Sequence, residues 1–171
     1  PLCVDPRVRR ALTLGIDRQS YIQHVASGLG VVGITVHHPD LPGFDPAVKA
    51  WPHDPVAAAA LLRESGWVDA DGDGTLDKDG RAFRFALTYG RNPEAERIAL
   101  FLQSELGKLG IICRPEAVEN AQLYERLSTR KFEAIMLGVW LDPNPDFFDM
   151  LHSSQRFEGN NYAGLNDPQV D

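Results

Sequence analysis

Cysteine is scarce: Cys3 and Cys113 are the only two among 171 residues. Two thiols are too few for a disulfide scaffold or a cysteine-built zinc site. They leave open a single disulfide in an oxidising compartment, or two free thiols. No apolar run approaches the ~18 residues that a membrane-crossing helix needs, so direct insertion into a membrane is not expected. Positive charge is also short, with 17 Lys and Arg against 24 Asp and Glu, a net charge of −7 with five His neutral. With no Lys/Arg run either, nucleic acid and anionic membrane surfaces are poor partners. The chain has no Gly-x-Ser-x-Gly elbow, phosphate loop, dinucleotide fingerprint or His-Glu-x-x-His. His152, Ser153 and Ser154 are sequence neighbours, whereas a catalytic triad converges from separate elements. An enzyme reading has no anchor, and no cofactor is expected.

What is present is an ordinary globular composition, 43% hydrophobic and 24% charged, sized for one domain or at most two small ones. Asp-Pro recurs as a helix opener: the Asp accepts a bond from an orphan backbone N–H, and the Pro gives up only a donor that had no partner. Asp5-Pro6 precedes the apolar set Val8, Ala11, Leu12 and Gly15. Asp54-Pro55 opens an Ala-rich helix over 56–65, closed by Gly66. Asn92-Pro93 leads into a helix over 93–109 with Gly110 as its stop. Asp167-Pro168 has the same form at the end of the sequence, without its helix. The expectation is therefore a piece of a longer protein, and the absence of a start methionine or targeting signal at Pro1 fits it.

Residues 5–25 read as one helix or two, with Asp17 able to cap the second half and Gly28 to end it. Residues 28–53 form a long Gly/Pro loop, and 67–80 an acidic, turn-rich one. Phe83, Phe85, Leu87 and Tyr89 alternate with Arg84, Ala86 and Thr88, the pattern of a strand with one buried face. A second strand is expected over 111–118, with Pro115 placing it at an edge. A helix capped by Asn120 follows, then a third strand over 134–140 and a short helix opened by Asn144-Pro145. Strand–helix–strand–helix–strand order requires crossover connections, hence an α/β fold with a mixed, mostly parallel sheet flanked by helices.

Asp69-Ala70-Asp71-Gly72-Asp73-Gly74-Thr75-Leu76-Asp77 matches the acidic positions of a calcium loop, yet the closing bidentate Glu is replaced by Gly80. Asp69, Asp71, Asp73 and Asp77 are thus weak calcium candidates, making a calcium-stabilised module the alternative function; the competing reading is a hairpin whose Asp side chains bond their own turn. The adjacent His37-His38 point apart on any regular element, so they read as loop residues. The third strand leads into Trp140-Leu141-Asp142-Pro143-Asn144-Pro145. Open α/β sheets bind ligands beyond the carboxyl ends of their strands. A carboxylate beside a Trp there suits an ammonium group through charge-assisted hydrogen bonds and a cation–π face. Equally, Asp142 and Asn144 suit a turn and a helix cap, with Trp140 in the core.

Asp5-Pro6-Arg7-Val8-Arg9-Arg10-Ala11-Leu12 with Ile16-Asp17-Arg18 resembles the opening signature of the peptide/nickel type of extracellular solute-binding proteins, the periplasmic components of ABC importers. Asp54-Pro55, Gly66-Trp67, the 71–80 Asp/Gly stretch, Gly138-Val139-Trp140-Leu141-Asp142 and Asn161-Tyr162-Ala163-Gly164 resemble further family segments in the same order. The resemblance implies that 1–171 is the second lobe of a two-lobed protein, truncated at both ends. It implies a small-molecule or peptide ligand, a first lobe and a membrane permease as partners, and a periplasmic or extracellular location. It further implies that Asp142 takes a ligand ammonium, that Arg91 is the nearest match to an Arg contacting a ligand carboxylate, and that Asn161 and Tyr162 lie near the cleft.

Overall fold

A computed structural model describes residues 4–35, 38–41, 44–139, 146–157 and 159–171. The chain opens with α1 (Pro6–Gly15), capped as expected: the Asp5 side chain accepts the Arg7 N–H at 2.8 Å. Arg7 also pairs with the Asp5 carboxylate at 2.7 Å and donates to the Glu64 carbonyl at 2.9 Å, tying the start of α1 to the end of the next long helix. That contact holds the Asp5 carboxyl down at about 2. A short α2 (Arg18–Ser20), capped by Asp17, runs into a π-helical turn at Tyr21–Val25. The long loop that follows is fastened by Arg18, which donates to the Trp51 carbonyl at 2.5 Å, and by Arg10, whose guanidinium stacks over the Trp51 ring at 4.2 Å.

α3 (Pro55–Glu64) is capped by Asp54, which accepts the Ala57 N–H at 2.9 Å, and packs against α1. The acidic stretch is less irregular than expected. It ends in a small antiparallel hairpin, β1 (Asp77–Lys78) with β2 (Arg81–Ala82), because Val68 and Asp77 exchange backbone hydrogen bonds at its base.

The main sheet comprises β3 (Arg84–Gly90), β4 (Ile112–Val118) and β5 (Ala134–Met136), all parallel and in the spatial order β4-β3-β5. α4 (Pro93–Gly107) and α5 (Asn120–Thr129) make the crossovers. Pro115 lies on an edge strand, as its missing N–H demands. β3 departs from the one-sided pattern: Leu87, Thr88, Tyr89 and Gly90 are all buried. Its position explains this, since a central strand is covered on both faces. Phe85, Leu87 and Tyr89 join Val8, Leu14, Leu62 and Leu106 in the main core. Thr88 and Gly90 face α5 instead, through Arg126 and Leu123.

Three further expectations are corrected. The third strand spans three residues, Ala134–Met136, which pair with Leu87, Thr88 and Tyr89 of β3. Beyond Met136, Leu137 and Val139 are exposed, and Trp140 lies outside the described residues. The cap position of α5 is held by Glu119, with Asn120 already helical. The last helix, α6 (Phe148–Leu151), is entered through Asp146, whose carboxylate accepts the Phe148 N–H at 2.9 Å; Asn144 and Pro145 lie outside the described residues. Among the described residues no helix is long and apolar enough to cross a membrane.

Candidate functional site

From β3 the chain crosses through α4 to β4 on one side, then through α5 past β3 to β5 on the other. The strand order therefore reverses around β3, and ligands of open α/β sheets bind at the carboxyl ends of strands flanking such a reversal. Gly90 and Val118 are paired at these ends, and Arg91 extends the ladder by donating its N–H to the Val118 carbonyl at 2.9 Å. Asn92 then caps α4, accepting the Ala95 N–H at 2.8 Å. The arrangement projects Arg91 beyond β3 and Glu119 beyond β4, and the two pair, Nε to Oε1, at 3.0 Å. Both side chains are about two-thirds exposed or more, at 67% and 71%. A depression of about 310 Å³, lined by Tyr89, Arg91, Asn92, Pro93, Glu96 and Ala117, opens beside them.

A larger groove of about 1520 Å³ lies at the opposite, amino end of the sheet, bordered by Asp5, Trp67, Lys78, Arg81, Arg84 and Glu133. Its Glu133 carboxylate accepts the Ala86 N–H at 2.6 Å, standing in for a ladder bond that β5 does not reach. Its Asp5, Lys78 and Glu133 side chains are already engaged with backbone groups, and the carboxyl ends, where the strand order reverses, remain the better-built candidate.

The sequence candidates separate on inspection. Arg91 is at the carboxyl ends. Asn161 is completely buried and its amide is fully used: Nδ2 donates to the carbonyls of Leu151, His152 and Leu165 at 3.3, 3.1 and 2.9 Å, and Oδ1 accepts the Leu165 N–H at 2.9 Å. That side chain clamps the 151–165 segment and has no surface for a ligand. Tyr162 packs on the small core of Val118, Leu123 and Leu127, with its hydroxyl donating to Asn160 at 2.8 Å. Arg130 stacks over its ring at 5.2 Å and donates to the Gly159 and Asn161 carbonyls. Trp140, Asp142 and Asn144 lie outside the described residues, as do Cys3 and His37. Cys113 is buried, and burial pushes its thiol up to about 11, which keeps it protonated and unreactive at neutral pH. Glu119 was not legible as a partner for Arg91, since the pairing exists only once β3 and β4 are in register.

The four acids Asp69, Asp71, Asp73 and Asp77 bring carboxylate oxygens within 4.8 Å of one another, the one such group among the described residues suited by spacing to a hard cation. Three of them are committed to the turn itself: Asp69 accepts the Gly72 and Gly74 N–H groups, Asp71 that of Asp73, and Asp73 that of Thr75. Gly80, with φ of +71°, supplies no closing side chain. Burial foremost, and then the neighbouring Asp71, Asp73 and Asp69 charges, raises the Asp77 carboxyl.

Residues 1–160 match the family described as bacterial extracellular solute-binding proteins, family 5 middle region. The chain belongs to this family. It is 36% identical to the oligopeptide-binding protein AppA of Bacillus subtilis, over 98% of this chain and 32% of that protein. It is 30% identical to the dipeptide-binding protein of Escherichia coli, over 93% of this chain and 29% of the relative. The family-5 chain thus spans about a third of the length of these relatives. Its fold superposes on that of AppA in complex with a nonapeptide with a TM-score of 0.92, at 35% identity over 98% of this chain and 34% of that one. NikA of Brucella suis in complex with Fe(III)-EDTA gives 0.81 at 29% identity, over 95% and 33%. The periplasmic-binding-protein-like α/β fold expected from the sequence is the one found.

Proposed function

We propose that this chain is the second ligand-binding lobe of a two-lobed solute-binding protein that delivers a peptide-like ligand to an ABC importer permease. The observation that carries the reading is family membership across 1–160, joined to a peptide-bound relative of nearly the same fold. In this role the lobe performs no chemistry on its cargo. It captures ligand reversibly outside the cytoplasmic membrane and closes against a first lobe, burying the ligand between them.

The binding surface is the carboxyl end of β3, β4 and β5. Asp142, which follows β5 in sequence, takes the ligand ammonium, with Trp140 beside it as a cation–π face and Asn144 as a neighbouring polar group. Arg91 meets a ligand carboxylate or carbonyl from the end of β3. Closure removes water and strengthens each charged contact.

The test is calorimetry of the full-length protein with trialanine. Asp142→Ala should weaken binding roughly thirtyfold or more, the cost of leaving a buried ammonium without its partner. An affinity equal to that of the unaltered protein overturns the role of Asp142. N-acetyl-trialanine, which lacks the ammonium, should bind both proteins equally weakly.

A further inference from the structure

From the geometry at the strand ends we infer that Glu119 is a specificity-determining residue, an internal competitor that biases the site against ligands presenting a free carboxylate near Arg91. The inference rests on the proposal that ligands bind at the carboxyl ends of the sheet. Glu119 holds the cap position of α5, but its side chain makes no cap hydrogen bond. Asp5, Asp17, Asp54 and Asn92 all use their side chains to cap the helices they precede. Glu119 turns across to the neighbouring strand and pairs with the Arg91 Nε at 3.0 Å. It can do so because Gly90 and Val118 are in register, which puts Arg91 and Glu119 side by side one residue later.

The charge balance there decides the consequence. Among the described residues Arg91 is the one cation lining the adjacent depression, and Glu96 lines it too. Among the described residues at the ends of β3 and β4, Glu119 and Glu96 set two negative side chains against the one positive charge of Arg91. An incoming carboxylate must displace Glu119 from the guanidinium or share it, at the cost of like-charge repulsion. An amide or an internal peptide carbonyl carries no such penalty, because it accepts a hydrogen bond from the guanidinium NH₂ groups while Nε stays paired. The favoured cargo is then a peptide whose carboxylate is masked or lies away from Arg91.

The experiment measures the full-length protein with trialanine and with trialanine amide by calorimetry, in wild type, Glu119→Gln and Arg91→Ala. In Glu119→Gln the free acid should gain about two- to fivefold in affinity relative to the amide, the range expected for removing an exposed ion-pair partner. A merely structural Glu119 would shift both peptides together, and an unchanged or reduced acid-to-amide ratio overturns the inference. Arg91→Ala separates the two layers. If it leaves the ratio unchanged, Arg91 does not see the ligand terminus and the site reading itself fails. If it lowers acid affinity while Glu119→Gln has no effect on the ratio, the site reading stands and the competitor role falls. Failure of wild type to bind either peptide overturns both.

Discussion

Asn161 and Asp5 sit in sequence motifs of similar strength, yet they do different work. Asp5 is read correctly from its neighbours, because a cap acts over two or three residues: its acceptor, Pro6 and Arg7 are all adjacent. Asn161 gains its meaning from groups up to ten residues away, so its amide reads as a free polar group until the 151–165 segment is folded around it. Replacing it orphans one buried N–H and removes the donor to three carbonyls. Asn161→Ala should therefore lower stability by about 2 kcal/mol. In urea unfolding this appears as a lower midpoint with an unchanged slope; a midpoint within error of the unaltered protein would show that the clamp contributes nothing. Glu119 shows the same limit from the other side. Its residue type is wrong for a short-range cap, which is visible in the sequence, but the partner it takes instead is not.

Among the elements, the helices were the most legible, since Asp-Pro and Asn-Pro starts and Gly stops are local signals. Gly110 has φ of +76°, and a Cβ there would lie 2.9 Å from the Gly74 carbonyl oxygen, so the stop is also a close approach that only glycine permits. The strands were read in order, and β3 and β4 nearly to the residue, but β5 is shorter than its apolar run suggested, pairing with only Leu87, Thr88 and Tyr89 of the longer β3. The elements of the sheet are also joined electrostatically. Arg126 on α5 makes a two-pronged contact with Glu116 on β4, at 2.6 and 2.8 Å, and donates to Thr88 on β3 at 3.0 Å. The hydrogen bonds from Arg126 are the main reason the Glu116 carboxyl titrates below its ordinary value. A carboxyl lowered in the folded state stabilises above the unfolded-state pKa, and that contribution is lost as pH falls through the lowered folded value. Glu116→Gln should thus reduce the melting temperature at neutral pH, and the gap should shrink as pH falls below the ordinary carboxylate range. The effect is modest, about 1 kcal/mol or less, because the Glu116 side chain is 42% exposed and screened by solvent. A gap that stays constant across that range would assign the loss to packing and not to charge.

For the whole molecule, the reading of one lobe carries a direct consequence. If half of the binding surface belongs to another lobe, residues 1–171 alone should bind trialanine at least tenfold more weakly than the full-length protein, as each missing contact and the lost exclusion of water subtract from affinity. Equal affinities by calorimetry would overturn the two-lobe account. The sequence by itself determined the α/β class, the starts of α1, α3 and α4, the edge placement of Pro115 and the family, through an ordered set of motifs that each act over a few residues. The tertiary structure alone decided the β4-β3-β5 order, the two-sided burial of β3, the conversion of Asn161 from cleft candidate to clamp, and the meeting of Arg91 with Glu119. Those outcomes depend on which strands become neighbours and in what register, and residues 28 positions apart acquire a common site only when backbone pairing brings them there.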